Sequence, residues 1–490
     1  MLSRVSCRSS ATFRVKGLVG CKAVLPEGIR CIGSSRTRSS TSQLTPADIT
    51  QTVSAGSATL MSEPLALLPK GQKPKFISAL SPKELTSFIL LSSVTSSKYL
   101  IDLSAKALPY TPNSLVKQFV YPIYCGGETF PEVLETGRKL LNRGIGNMML
   151  SYSVEDAEGN SPAASSALLA NAVSEICNSI DEVLVPHYDI AKQAYDEEKS
   201  TVVPGQGFIA LKPTGLMVGA TDILRNFDQP AYADKWQQYL QICRKICQHA
   251  AEHGQGKVAV VFDAEKKVLQ PGVYAAQRAM MEEFNKPSKE VVVIGTIQMY
   301  LQDSLDQLKQ ELDLAKKNNY QVGLKLVRGA YIHSEPDRMN TIHVDKQSTD
   351  NCYNEGVSIM LDDIFEAEKT LSAPVVGKLI VATHNEHSCA LVDQRLQNAA
   401  AGLGTLQATN LSNRVVFGQL MGMADDQSHE LASRGHHVVK YVPWGPAQET
   451  KEYLVRRLEE NGDAAREGGI KYAKFGVQEL FSRLRSKQTA

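Results

Sequence analysis

Eight short runs of apolar, β-forming residues, each followed by an amphipathic helical pattern, constrain this chain more than any other feature of its sequence. The runs are NMMLSY at 147–152, GFIALK at 207–212, KVAVVFD at 257–263, EVVVIGTIQ at 290–298, YQVGLKLV at 320–327, GKLIVAT at 377–383, RVVFGQ at 414–419 and HVVKYV at 437–442. Helical patterns such as KWQQYLQICRKICQHAAEHG and DSLDQLKQELDLAKKNN separate them, and ETKEYLVRRLEEN follows the last. Near-continuous apolar runs mark strands buried on both faces, which demands a parallel sheet with helical crossovers. Eight such units in about 320 residues predict an α/β fold, a (β/α)8 TIM-type barrel, in preference to an open doubly wound sheet. No GxGxxG follows any of the strands, so a Rossmann site is not expected.

The barrel is assigned to residues 146–465, preceded by a linker and N-terminal helical arm at 43–145 and followed by a helical tail at 466–490. Within the arm a helical stretch is expected from Pro82 to about Leu108, and EVLETGRKLLNRG reads as a helix stopped by Gly144. Residues 1–42 carry eight Lys or Arg and one acid, Glu27, in a Ser-rich context. This composition matches a mitochondrial transit peptide, because a basic, acid-poor segment responds to the membrane potential; a basic tail is the competing reading. The whole chain has 53 basic and 52 acidic residues, so without its eight basic and one acidic residue the remainder has 45 against 51 and is mildly acidic. Such a balance gives no basic field for nucleic acid, and none is expected as a partner. Strictly apolar runs end at about five residues, whereas a membrane span needs about 20.

Three of the nine cysteines, Cys7, Cys21 and Cys31, lie in the basic segment, and the other six show no CxxC or zinc-type spacing, so they read as reduced thiols. His249 and His253 stand one helical turn apart at a spacing that could hold a metal, but no third ligand is visible nearby; a partly exposed helix face explains the pair, and no metal is expected.

In a barrel of this kind, chemistry gathers where strands end and βα loops begin. Seven of the eight ends carry polar groups: Lys212; Asp263 with Glu265; Gln298; Lys325 with Arg328 and Tyr331; Thr383 with His384 and Asn385; Gln419; and Tyr441 ahead of Pro443-Trp444-Gly445-Pro446. There is no nucleophile elbow, paired-acid signature or Gly-rich phosphate loop among them. Cations, amides, an Asp and tyrosines suit a small carboxylate and a large polar cofactor that brings its own redox chemistry.

All of these residues except Lys212 and Gln298 occur within FDAE at 262–265, KLVRGAY at 325–331, ATHN at 382–385, GQLMGMAD at 418–425 and YVPWGPAQETKEYLVRRLEEN at 441–461. From about residue 146 to 461 the sequence resembles the proline dehydrogenase family of flavin-dependent mitochondrial enzymes. The resemblance implies a helix after the eighth strand that lies over the barrel mouth and grips the substrate carboxylate with Arg456 and Arg457, whose planar guanidinium groups suit bidentate binding. Without the family, Arg456, four residues from both Glu452 and Glu460, reads as a solvated helix surface. The resemblance further places Lys212, Asp263, Tyr331, Leu420 and Tyr441 around proline. It assigns FAD to Gln298, Lys325, the backbone at Val327, Gly329 and Ala330, and Thr383, His384 and Asn385. Bacterial members often carry Arg where this chain has Lys325. Members that use hydroxyproline have a smaller residue at the position of Tyr441.

The expected reaction is FAD-dependent oxidation of L-proline to Δ1-pyrroline-5-carboxylate. Electrons would pass to ubiquinone through peripheral contact with the inner mitochondrial membrane, on its matrix side. Three rivals stand beside it: a hydroxyproline dehydrogenase on the same fold, a Schiff-base aldolase using Lys212 or Lys325, and a barrel that binds a metabolite without turning it over.

Overall fold

The computed structural model describes residues 73–152, 162–287, 289–329, 331–332, 335–464 and 469–488. All belong to one compact unit that begins at Pro64. The expected transit peptide and the linker up to residue 72 lie outside the described residues, as does Ala330.

Eight parallel strands close into a barrel in chain order: β1 (Asn147–Tyr152), β2 (Gly207–Leu211), β3 (Val258–Phe262), β4 (Val293–Gln298), β5 (Val322–Val327), β6 (Val376–Ala382), β7 (Val415–Leu420) and β8 (His437–Trp444). β8 returns to β1 in a ladder from Asn147 opposite Val439 to Tyr152 opposite Trp444. Alternation along each strand explains the unbroken apolar runs. Met149, Phe208, Ala210, Ala259, Val261, Ile294, Ile380, Val416 and Val439 fill the barrel interior. Their neighbours Met148, Leu150, Ile209, Leu211, Val260, Phe262, Leu379, Val381 and Val438 pack outward against the helices.

Most strand ends lie within one to three residues of the expected runs, and two differences have a clear physical cause. β8 runs on to Trp444, where the expected strand stopped at Val442, because Pro443 lies beyond the last β7 pairing, Leu420 with Tyr441, and its missing N–H costs that ladder nothing. Trp444 is held there by Tyr152 and Phe130, with ring centroids 4.8 and 5.1 Å away. The arm stretch expected from Pro82 to Leu108 is two helices, Pro82–Val94 and Lys98–Ala107. At the break, Ser96 Oγ donates to Ser93 O (2.7 Å) and Thr95 Oγ1 to Ser92 O (3.2 Å), so hydroxyls compete for carbonyls as the helix ends. The first helix starts with a capping box, Glu84 N–H on Ser81 Oγ and Ser81 N–H on Glu84 Oε2. The helix Phe130–Leu141 forms as expected and ends ahead of Gly144, which takes φ +85°.

The last helix, Gly469–Gln488, lies against Pro82–Val94, joining Phe76, Ile77, Leu80 and Leu85 to Tyr472, Phe475 and Leu480. All six described cysteines are buried free thiols, as the sequence reading expects. No described helix is long and apolar enough to cross a membrane.

Candidate active site at the barrel mouth

The strand alternation decides which end residues face the barrel axis. Lys212 continues the interior series Phe208, Ala210; Asp263 continues Ala259, Val261; Gln298 follows Ile294 at a spacing of four; Tyr441 follows Val439. Lys325 sits between Leu324 and Leu326, both packed outward, and so points in. Leu420 ends β7 four residues after the interior Val416 and pairs with Tyr441. Parity alone therefore converges these side chains on one end of the barrel.

A polar network ties three of them together. Lys325 Nζ forms an ion pair with Asp263 Oδ1, and Tyr441 OH donates to Asp263 Oδ2 at 2.8 Å. The Lys325 ammonium also lies 5.7 Å from the centre of the Tyr441 ring. Lys325 is 6% exposed, so its charge is compensated by that carboxylate in a site largely shielded from water. Burial and the Asp263 carboxylate push the Tyr441 phenol well above its usual range, keeping it a hydrogen-bond donor. Lys325, which the family resemblance directs to the flavin, is thus bonded to a residue assigned to the substrate. One ion pair couples the two groups.

A second network lies behind the first. Glu265 accepts from Thr214 Oγ1 (2.8 Å) and from Tyr331 OH (3.2 Å), and burial raises its pKa. Burial, with Glu265, likewise pushes up the Tyr331 phenol. Gln298 is fully buried; its Nε2 donates to Glu265 O at 2.6 Å, while its Oε1 has no hydrogen-bond partner among the described residues.

Beyond β5 and β6, Arg328 bridges Asp350, Thr383 and Ser388 and stacks 3.9 Å from the centre of the Tyr353 ring. Gly329 has φ +114°, and a Cβ there would come within 1.9 Å of the Tyr300 ring, so this turn after Val327 requires glycine. Asn385 caps the helix Glu386–Ala401 by accepting from Ser388 N–H at 3.0 Å. His384 Nε2 accepts the Leu420 N–H (3.1 Å), and its pKa is lowered to about 3 by burial, then by Lys440 and Arg457. The ring is therefore neutral, with its proton on Nδ1.

The helix Ala447–Ala464 follows β8 and carries Arg456, exposed, and Arg457, half-buried against the Tyr453 ring at 5.0 Å. Arg456 is close enough for its charge to act on Tyr331, and Arg457 on His384. Both charges thus lie near the loops after β5 and β6.

The arm fixes this helix in place. Tyr121 OH is 2.9 Å from both Gly445 O and Thr450 Oγ1, Glu128 Oε1 accepts the Ala447 N–H at 2.8 Å, and Lys451 Nζ donates to Thr111 O at 2.8 Å. Val116, Tyr121, Ile123 and Tyr124 pack with Tyr453, Leu454 and Leu458.

Sequence reasoning missed these arm contacts, whose partners stand more than 300 residues apart. It also missed Lys440, fully buried in mid-strand and held by Asp425 Oδ1 and Met423 O, both at 2.7 Å. A lysine inside an apolar strand was the available signal. Contrary to the expectation that no third ligand is nearby, Asp181, 68 residues before His249, lies beside both His249 and His253.

The family model described as "Proline dehydrogenase" matches residues 133–468. A carbapenem antibiotics biosynthesis protein, CarD, of Pectobacterium carotovorum subsp. carotovorum is 31% identical over 363 residues, which is 72% of this chain and 82% of that protein. Mitochondrial proline dehydrogenase 1 of Dictyostelium discoideum is 26% identical, covering 75% of this chain and 66% of its own. The hydroxyproline dehydrogenase of Mus musculus is 26% identical, covering 76% and 83%. Among solved structures, proline utilization A from Bdellovibrio bacteriovorus superposes with a TM-score of 0.53 at 19% identity, over 77% of this chain and 37% of that longer one, a likeness of fold. The family match spans the barrel and the helix above its mouth, and the chain belongs to the proline dehydrogenase family of oxidoreductases.

Proposed function

We propose that this chain oxidises L-proline to Δ1-pyrroline-5-carboxylate with FAD as its cofactor, and passes the electrons to a membrane quinone. The observation that carries this reading is the Asp263–Lys325–Tyr441 network beneath a helix that turns two arginines toward the barrel mouth.

The donor set fits a flavin. The buried Gln298 Oε1, without a partner among the described residues, can accept from a ring N–H, Lys325 supplies a cation beside it in the barrel, and the neutral His384 offers an Nδ1–H donor. A bound flavin supplies a two-electron hydride acceptor.

The chain's own residues select and orient the substrate. Proline carries a carboxylate, which Arg456 and Arg457 hold from above by charge-assisted hydrogen bonds. Leu420 and the Tyr441 ring form the apolar wall for the pyrrolidine. Asp263, engaged on both oxygens, and Lys212 on the neighbouring strand end set the polarity near the amine. Fixing both ends of so small a molecule is where most of the rate gain from orientation arises.

The Asp263 ion pair bears on the aldolase rival, since Lys325 is engaged as a donor and is not presented as a nucleophile. Against the hydroxyproline rival speaks the bulk of the Tyr441 phenol, which leaves less room for an added hydroxyl than the smaller residue of hydroxyproline-using members. The basic segment at 1–42 and the mitochondrial relative support a mitochondrial site of action, with quinone contact at the membrane surface.

Visible spectroscopy of the purified chain tests the reading. Flavin bands that bleach on adding L-proline are expected. A colourless protein, or a lysine adduct trapped by borohydride, would overturn it.

A further inference from the structure

The crossover from β1 to β2 contains the helix Pro162–Ser179, a π-helical turn at Ile180–Leu184 and the helix Val185–Asp196. Asp181 stands in that wider turn, a local irregularity that often marks a functional position. Opposite it runs the helix Ala233–Gly254 of the next crossover, carrying His249 and His253 at the H-x3-H spacing common in zinc sites. Asp181 Oδ1 and Oδ2 lie 3.1 and 3.0 Å from His249 Nε2, and Oδ1 lies 3.2 Å from His253 Nδ1. The imidazole rings stack with centroids 4.0 Å apart and an interplanar angle of 17°, so both turn a nitrogen toward the same carboxylate.

We propose that Asp181, His249 and His253 form a binding site for a divalent transition metal, with Zn2+ the ion whose chemistry fits best. Bonds of about 2.0 to 2.1 Å in a tetrahedron put neighbouring donor atoms about 3.3 Å apart, close to the observed carboxylate–imidazole separations. Two imidazoles and one carboxylate are borderline ligands that favour zinc over magnesium or calcium, which prefer all-oxygen sets. His253 is 51% exposed on its side chain, which gives the ion a route in and leaves room for a water as fourth ligand.

The position defines the role. His249 and His253 lie in the last turns of a helix that ends just before β3 begins, at the amino-terminal end of the barrel and away from the mouth. Residues at that end serve stability. A metal here joins the first crossover to the second, so binding should stabilise the fold and leave proline turnover unchanged.

The test uses the full chain after chelator treatment. Zinc titration should raise the unfolding temperature in a concentration-dependent manner, and Co2+ should produce visible d–d absorption typical of a tetrahedral site. His253→Gln, at an exposed position that leaves the core intact, and Asp181→Asn should each weaken zinc binding by at least about 10- to 100-fold, the loss seen when even outer-shell partners are removed. Both variants should keep wild-type turnover. Equal zinc affinity in wild type and His253→Gln, or wild-type protein without cobalt bands, would overturn the site and leave the trio as a hydrogen-bonded cluster; neither result touches the assignment of the active site.

Discussion

Replacing Tyr441 by Phe removes one hydroxyl from the polar network. The ring remains against the interior cluster and beside the Lys325 ammonium, so packing and the cation–π contact persist; the hydroxyl's 2.8 Å bond to Asp263 Oδ2 is lost, together with its interaction with Ser151. A hydrogen bond to a charged group contributes about 1.5 to 3 kcal/mol. The lower part of that range applies because Lys325 still holds Oδ1 and the Asp263 side chain is 18% exposed, which lets water replace the hydroxyl. At about 1.5 to 2 kcal/mol, kcat/KM for proline should fall roughly 10- to 30-fold. Tyr441→Ser goes further by opening the wall, and should narrow the preference for proline over trans-4-hydroxyproline, where one polar group is worth about 1 to 3 kcal/mol. Steady-state kinetics with both substrates, on samples of known flavin content, measure each effect. Wild-type kcat/KM in Tyr441→Phe, or equal use of both substrates by the unmodified chain, would refute the reasoning.

Three further outcomes are expected. Arg457→Ala should lower kcat/KM by a factor equivalent to about 2 to 5 kcal/mol while flavin content stays near normal, with Arg457→Lys recovering part of the loss; wild-type kinetics would remove the carboxylate clamp. Tyr121→Phe deletes a buried contact to Gly445 O and Thr450, and at about 1 kcal/mol it should raise KM for proline several-fold with little effect on flavin content. His187, fully buried and with neither ring nitrogen finding a partner among the described residues, has its pKa lowered to about 4 by burial. Only the unfolded chain takes up that proton as pH falls below about 6.5, so the stability it contributes is complete above that pH and declines toward pH 4, by roughly 3 kcal/mol. Denaturant midpoints from pH 7 to 4 should therefore fall less steeply in His187→Met.

The barrel was legible because its strands are buried on both faces, which leaves eight dense apolar runs that no surface helix imitates. The inward set at the mouth was legible for the same reason: parity from Phe208, Val261 and Val439 carries the reading to Lys212, Asp263 and Tyr441. Pairings were not. Lys325 and Asp263 are 62 residues apart and both polar, so either could have stood against solvent; β3 and β5 both flank β4, and it is the curvature of the sheet that turns their interior side chains toward each other across it. His249 and His253 looked incomplete as ligands because helical spacing reports neighbours on one helix and says nothing about Asp181 on another.

The arm explains how the helix after the last strand can carry the proposed carboxylate clamp. Ala447–Ala464 has an exposed Arg456 and a polar outer face, and alone it would have little reason to hold one orientation. Its first turn is fixed where Glu128 accepts the Ala447 N–H and Tyr121 meets Gly445 and Thr450, while Tyr453, Leu454 and Leu458 bury against Val116, Ile123 and Tyr124. Gly126 N–H on Pro443 O (2.8 Å) and Gly445 N–H on Gly127 O (3.0 Å) continue the attachment through the turn. Rotating that helix by one residue would move Arg457 by about 100° around its axis and away from His384. The arm therefore acts on the site by setting the azimuth of the helix above the mouth, and substitutions in it should appear in substrate affinity before they appear in barrel stability.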